Sequence, residues 1–318
     1  ALEAAIHQAV EGGQWILGPQ VGQFEKDIAA WAGVRHAIAC ANGTDALLLV
    51  LRAWNVGPGD AVFVPAFTFA ATAEVVVLAG ATPVFADIDP HSLAMETNQI
   101  LAKITDQTRA VFITHVQGFD GLTDLLVREL QRRAIPLIED VCESHGATHR
   151  GKRLGSIGWI SNFSFYYAHH MSTIEGGMVC TNDPDIYQKV RMLRSHGMVR
   201  ESTDPATRAA YQAENPELNP DFIFAFPAFN VRNTEIGAIL GRQQLKRLDE
   251  NVALRTRNLK LFLSLIDPSR YRTDFKLEGS SNYAFNLVLK HPDSEAMGRL
   301  MDRLHQEGVE FRRGSAGG

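Results

Sequence analysis

His36-Ala37-Ile38-Ala39-Cys40-Ala41-Asn42-Gly43-Thr44-Asp45-Ala46-Leu47-Leu48-Leu49-Val50-Leu51 is the stretch that decides the fold. A short apolar run ends in an Asn-Gly turn and passes directly into residues of high helix propensity, from 45 to 54. The reading is strand, tight turn, helix. Upstream, Phe24, Ile28 and Trp31 are spaced for a helix over 23–32 that stops at Gly33. Downstream the alternation recurs, with strands expected at 61–64, 83–87, 110–114 and 136–139 and helices at 69–79, 122–133 and 184–194. Short apolar strands alternating with helices require a mainly parallel sheet covered on both faces, so the predicted class is α/β.

Residues 200–229 are rich in proline, asparagine and aromatics without a period and read as a long ordered loop. Helical periodicity returns over 233–265. Strands around 282–289 and a helix over 294–307 then open a smaller α+β lobe. The expected division is a large domain, 1–245, and a small C-terminal domain, 246–318. The chain stops in Arg312-Arg313-Gly314-Ser315-Ala316-Gly317-Gly318, a glycine-rich run with no closing element, so a continuation of the small domain is expected.

At 318 residues, 45% hydrophobic and 21% charged, the chain has the composition of a globular protein larger than one ordinary core. The formal charge is −5 and the basic residues are scattered, which argues against a nucleic-acid partner. No run of about 18 apolar residues and no signal arrangement is present, so neither membrane insertion nor export is expected. Cys40, Cys142 and Cys180 stand at unrelated spacings in apolar surroundings. They read as buried, reduced thiols, which points to the cytoplasm.

Three places hold residues with chemistry to offer. Asn42-Gly43-Thr44 lies between a strand and a helix, where free N–H groups and the positive helix end suit a phosphate; turn and N-cap duty is the competing reading. Asp140 ends the run Leu137-Ile138-Glu139-Asp140, at the strand edge where open α/β folds bind ligands. It can face a protonated ring nitrogen or cap a helix over 141–145. In Phe163-Ser164-Phe165-Tyr166-Tyr167-Ala168-His169-His170, neighbouring histidines on a strand would point to opposite faces, and no helical His pair accompanies them. No metal site is expected.

Together these segments resemble the nucleotide-sugar aminotransferases of the DegT/DnrJ/EryC1/StrS group, a branch of the fold-type I pyridoxal-phosphate enzymes. The resemblance is carried by Leu17-Gly18-Pro19-Gln20-Val21, Asn42-Gly43-Thr44-Asp45-Ala46-Leu47, Pro65-Ala66-Phe67-Thr68-Phe69, Ile138-Glu139-Asp140, His145-Gly146-Ala147, Phe163-Ser164-Phe165, Glu175-Gly176-Gly177, His196-Gly197 and Phe229-Asn230-Val231-Arg232, and it runs over essentially the whole chain. It implies a fold-type I transferase fold. It further implies Gly43, Thr44 and Ser164 at the cofactor phosphate, Phe69 stacked on the ring and Asp140 at the pyridine nitrogen. Asn230 would reach the phosphate of a neighbouring subunit, implying a homodimer with shared active sites, although loop capping explains the same asparagine.

Two departures from the family pattern bear on function. His169 occupies the position of the lysine that tethers the cofactor in the aminotransferases, and imidazole cannot form that covalent link although it can move protons. Glu143 stands where a glutamine near the ring hydroxyl is usual. The stretch from His169 to Gly177 resembles the sugar 3-dehydratases, which implies noncovalent pyridoxal or pyridoxamine phosphate, L-glutamate as amino donor and His169 as base, with His170 its rival. Three cysteines are too few for the four-thiolate cluster of the CDP-sugar type, so a GDP-sugar substrate and no iron–sulfur cluster are implied. His196, Glu310 and Arg312 are weaker candidates for substrate contact, each with a structural role as the alternative. An aminotransferase and a noncatalytic regulator on the same fold are the competing functions.

Overall fold

The computed structural model describes residues 2–314, so the expectation for the glycine-rich tail falls, at 315–318, outside the described residues. Nine strands follow in chain order: β1 (His36–Cys40), β2 (Ala61–Pro65), β3 (Thr82–Ala86), β4 (Thr108–Thr114), β5 (Leu137–Asp140), β6 (Thr148–His149), β7 (Lys152–Arg153), β8 (Ile160–Ser164) and β9 (Gly177–Thr181). β6 and β7 form a separate ribbon, and the rest make one sheet in the order β1-β9-β8-β5-β4-β2-β3. All its pairings are parallel except those of β9, which runs against both neighbours. The exception has a local cause: β8 and β9 are joined by a loop, whereas a parallel pair needs a long crossover connection.

Alternation along each strand sends its side chains to two different cores. Ala37, Ala39, Phe63, Val111, Ile113 and Leu137 pack on one face. Ile38, Cys40, Val62, Val64, Ala110, Phe112 and Ile138 pack on the other. Each fully buried Val, Ile or Phe contributes roughly 1.5–3 kcal/mol of burial, which is why the central strands carry so few polar residues.

The helices are α1 (Leu2–Glu11), α2 (Pro19–Ala32), α3 (Gly43–Ala53), α4 (Ala71–Leu78), α5 (Thr97–Lys103), α6 (Asp124–Arg132), α7 (Pro184–Leu193), α8 (Pro205–Glu214), α9 (Glu235–Leu265) and α10 (Ser294–Gln306); α1, α8 and α10 bury none of their residues, and the others supply the cover of the two faces. Side-chain caps mark their starts: Asn42, Thr123, Asp183, Asp204 and Thr234 accept backbone N–H groups at α3, α6, α7, α8 and α9. α2 ends on Gly33 in the left-handed region, φ 82°. No helix among the described residues is long and apolar enough to cross a membrane.

Several expectations are corrected. α2 starts at Pro19, four residues before the amphipathic pattern, because Gly18 and Pro19 supply the turn and first helical position. Residues 141–145 form turns, so Asp140 caps no helix. The supposed loop at 200–229 contains α8, which buries none of its residues and so has no apolar stripe to reveal it. Around 282–289 no strand forms; the segment is irregular, with one isolated pairing, Tyr271 with Leu289. There Phe119, Leu259, Leu263 and Phe275 make a third small core. The domain division itself stays an expectation; its position between 245 and 246 lies within α9, which is unbroken from Glu235 to Leu265.

Candidate active site

The register of the sheet gathers the reactive side chains at one edge. Thr114 pairs with Asp140, Asp140 with Asn162, Ser164 with Gly177, and Gly177 with Cys40. The last residues of β1, β4, β5 and β8 therefore share one rim with the first residue of β9. Two glycines make the rim close enough to work. A Cβ on Gly177 would lie 2.1 Å from the Asn42 carbonyl oxygen, and one on Gly43 would lie 2.6 Å from the Ser164 Cβ.

Gly43 and Thr44 open α3, and their N–H groups precede the first intrahelical bond. Asn42 occupies itself with the Asp45 N–H at 2.9 Å, so it is the cap and leaves the N–H groups of Gly43 and Thr44 uncommitted. Ser164 faces Gly43; its hydroxyl accepts only a long bond, 3.4 Å, from the Tyr166 N–H. Two backbone donors, a hydroxyl and a helix N-terminus thus converge, a donor set that suits a phosphate.

Asp140 is 5% exposed. Its Oδ1 accepts from the Cys142 N–H at 3.1 Å and the Asn162 Nδ2 at 3.0 Å, and no hydrogen bond among the described residues reaches Oδ2. Burial raises the carboxyl pKa, opposed by these donors and by His115. A protonated ring nitrogen facing Oδ2 would offset that cost. Cys142 lies beside this carboxylate, half-buried, and its Sγ accepts from Asn162 Nδ2 at 3.2 Å. The wholly apolar setting expected for it is therefore corrected. Glu143 accepts the Gln117 N–H at 2.9 Å, and burial together with the Asp140 charge pushes its pKa up to about 7.

His169 lies in the loop between β8 and β9 rather than on a strand. Its Nδ1 is buried without a partner, and burial lowers its pKa to about 4. His170 is buried more deeply; its Nε2 donates to the Ser281 carbonyl at 3.2 Å, and its pKa falls to about 3, chiefly through burial. Phe69 follows β2 by four residues and leaves 56% of its surface exposed, with no ring stacked on it among the described residues.

Two residues to which no role was assigned from the sequence complete the histidine pocket. The His145 ring lies 6.1 Å from His169 and 5.7 Å from His170, with both nitrogens unpartnered. Tyr283 lies 5.6 Å and 5.9 Å from the same two rings. The sequence gives no hint of Tyr283, more than a hundred residues away; Asn162 could have been found as the residue two before Ser164, on the same strand face.

Asn230 and His196 stand elsewhere. Asn230 is exposed, pairs with Ser195 across an isolated bridge, accepts from Arg232 Nε at 2.9 Å and makes no hydrogen bond to the rim. The His196 N–H donates to the Phe229 carbonyl beside it. Arg312 is exposed, close enough to Tyr166 and Tyr283 for its charge to favour their ionised forms, whereas Glu310 is exposed and its side chain makes no hydrogen bond or ion pair among the described residues. Among the described residues no group of three or more His, Cys, Asp or Glu is arranged to hold a metal ion.

The chain is 41% identical over 245 residues to GDP-perosamine synthase of Caulobacter vibrioides, a match covering 76% of this chain but only 61% of that relative. It is 29% identical over 315 residues to GDP-4-keto-6-deoxy-D-mannose 3-dehydratase of Yersinia pseudotuberculosis, covering 97% of this chain and 80% of the relative. The crystal structure of the E. coli GDP-4-keto-6-deoxy-D-mannose-3-dehydratase with bound hydrated PLP superposes with a TM-score of 0.88 at 28% identity, over 98% of this chain and 82% of that one. The sheet and its helices are those of the fold-type I pyridoxal-phosphate aminotransferases. With residues 1–313 matching the profile of the DegT/DnrJ/EryC1/StrS aminotransferase family, the chain belongs to that family, whose typical cofactor is pyridoxal phosphate.

Proposed function

We propose that this chain is a glutamate-requiring, pyridoxal/pyridoxamine-phosphate-dependent 3-dehydratase of GDP-4-keto-6-deoxymannose, a cytoplasmic homodimer of deoxysugar biosynthesis. The observation that carries the reading is His169: a neutral, half-buried imidazole with an unpartnered nitrogen, in a loop from 165 to 176 that contains no lysine. Such a group holds no cofactor covalently and is free to accept a proton at neutral pH.

When bound, the pyridoxamine form supplies an amino nitrogen for the C4 ketone of the sugar and a ring that takes up electrons. The N–H groups of Gly43 and Thr44 and the Ser164 hydroxyl would hold the phosphate, Phe69 would pack against the ring, Asp140 would keep the ring nitrogen protonated, and Glu143 would lie near the ring hydroxyl. His169 accepts a proton from the carbon bearing the amino nitrogen and delivers one to the C3 oxygen, which leaves as water. Glutamate would supply the amino group and the two electrons, leaving as 2-oxoglutarate, and the nitrogen would leave as ammonia, giving a 4-keto-3,6-dideoxy sugar. His170 is the lesser candidate for the base because its Nε2 is committed to Ser281. In this reading Asn230, which is exposed and makes only local contacts, would serve the phosphate of a second subunit, and Arg312 and His196 would meet substrate.

The test is incubation with pyridoxal phosphate, glutamate and the GDP-sugar, followed by mass spectrometry of the product. Loss of the C3 oxygen is expected. A stable 4-amino sugar would establish the second reading, amino transfer, which membership in an aminotransferase family supports. An inert protein would leave a regulator. His169→Asn should lower turnover by about a thousandfold while cofactor absorbance persists.

A further inference from the structure

A second cavity, about 320 Å³, contains none of the rim residues. The N-terminal turn of α2 forms one side of it. Four arginines, Arg191, Arg194, Arg200 and Arg232, line it together with Glu25 and Glu201, an excess of two positive charges (4 − 2). The carboxylates do not use up the guanidinium groups. Glu25 is shared by Arg194, whose Nη1 lies 2.5 Å away, and Arg191 at 3.6 Å. Arg200 rests on the Phe222 ring at 5.4 Å, and Arg232 bonds the neutral Asn230. Neither forms an ion pair among the described residues.

Arg194 is the informative member. It is 1% exposed, its Nη1 is satisfied by Glu25 and the Ala39 carbonyl, and its Nε has no partner. A buried, incompletely bonded guanidinium backing a polar cavity is costly unless the cavity holds an acceptor.

We propose that this cavity binds a phosphate-class oxyanion, gripped by the forks of Arg200 and Arg232, with Arg191 and Arg194 supplying the positive field behind them. Planar guanidinium forks match the paired oxygens of phosphate. A dianion cancels the excess of two charges, whereas a monocarboxylate satisfies one fork and half of it. The site shares no side chain with the cradle at α3, although Arg232 is bonded to Asn230, the residue proposed to serve a second subunit's phosphate.

Inorganic phosphate is titrated calorimetrically, in phosphate-free buffer, into protein already saturated with pyridoxal phosphate so that the cradle at α3 is filled. One saturable site is expected. Arg200→Gln and Arg232→Gln should each weaken it by about tenfold, and Glu201→Gln should strengthen it. Sulfate should compete and acetate should not. Absence of saturable binding, equal competition by acetate, or undiminished affinity in the double arginine variant overturns the proposal. So does a change in sedimentation of Arg200→Gln with unchanged phosphate affinity, since the arginines would then serve contact between copies. Failure of the functional reading is seen separately, as missing cofactor absorbance, and the dependence on Arg232 still reports on this cavity.

Discussion

Glu139 and Asp140 are consecutive residues at the end of β5, both carboxylates and both buried, yet their surroundings differ in kind. Glu139 points into a closed network. Its Oε2 accepts from the Gly155 N–H at 2.8 Å, its Oε1 from Ile157 and Gly158 at 2.8 and 2.5 Å, and His115 Nε2 lies 3.3 Å away. His115 Nδ1 accepts the Gly121 N–H, so Nε2 carries the proton and donates to Glu139. Asp140 points to the opposite face, with one oxygen bonded and one open, and its neighbour Asn162 also has an unpartnered oxygen. Burial alone does not tell a structural carboxylate from a reactive one. Completeness of hydrogen bonding does.

The comparison breaks most visibly at Glu139. Glu139→Ala strips acceptors from three backbone N–H groups and should cost about 3–5 kcal/mol in denaturant unfolding. A loss below 1 kcal/mol would mean the network is not structural. Asp140→Asn should have the opposite profile: unfolding free energy within about 1 kcal/mol of the parent, because Asn still accepts from Cys142, but turnover reduced about a hundredfold, measured as product formation.

Glu143 sharpens the contrast through pH. Its folded pKa, about 7, lies above the ordinary 4.5. The folded state therefore binds more protons between those values, and the charge costs stability progressively as pH rises from 4.5 through 7. Glu143→Gln should stabilise the protein by about 2 kcal/mol at pH 8, after discounting for its partial contact with water, and by nothing at pH 4. Equal effects at both pH values would remove the charge from the explanation.

The smallest effect is a titration. His169 has a folded pKa of about 4, below 6.5, so the unfolded chain binds the extra proton between these values and this histidine's contribution to stability is lost as pH falls from 6.5 to 4. Histidine NMR of the cofactor-free protein should place its midpoint near pH 4. A midpoint near 6.5 would mean an imidazole open to water.

Much of the fold was legible because the central strands are buried on both faces and so read as unbroken apolar runs; β1, β4 and β5 lie within two residues of expectation. The placement of Gly43 and Asp140 at one rim follows from the same pattern, since each lies at or just beyond the end of an expected strand, whereas β8, which ends at Ser164, was not among the expected strands. What was not legible depends on distant partners or on solvent. α8 buries nothing, so only Asp204 and Pro205 announce it. Tyr283 reaches the histidines because Gly118, at φ 84°, leaves no Cβ to obstruct the Asn282 backbone, 2.5 Å from where a Cβ would stand. No local pattern encodes that approach.

Because β9 runs backwards, the loop bearing His169 leaves the sheet at Ser164 and returns at Gly177, its hydrogen-bonded neighbour. Both ends are nailed to the same rim, and within the loop Phe165 and Met171 anchor it in the core on one face, so the positions between them that are not buried are the ones free to vary. Closure entropy changes only slowly with length, and no helix crossing has to be rebuilt when residues within the loop are exchanged. Chemistry here behaves as an insert in a fixed frame: a different side chain at position 169 alters what the rim does to a ligand while the two cores on either side of the sheet are left undisturbed.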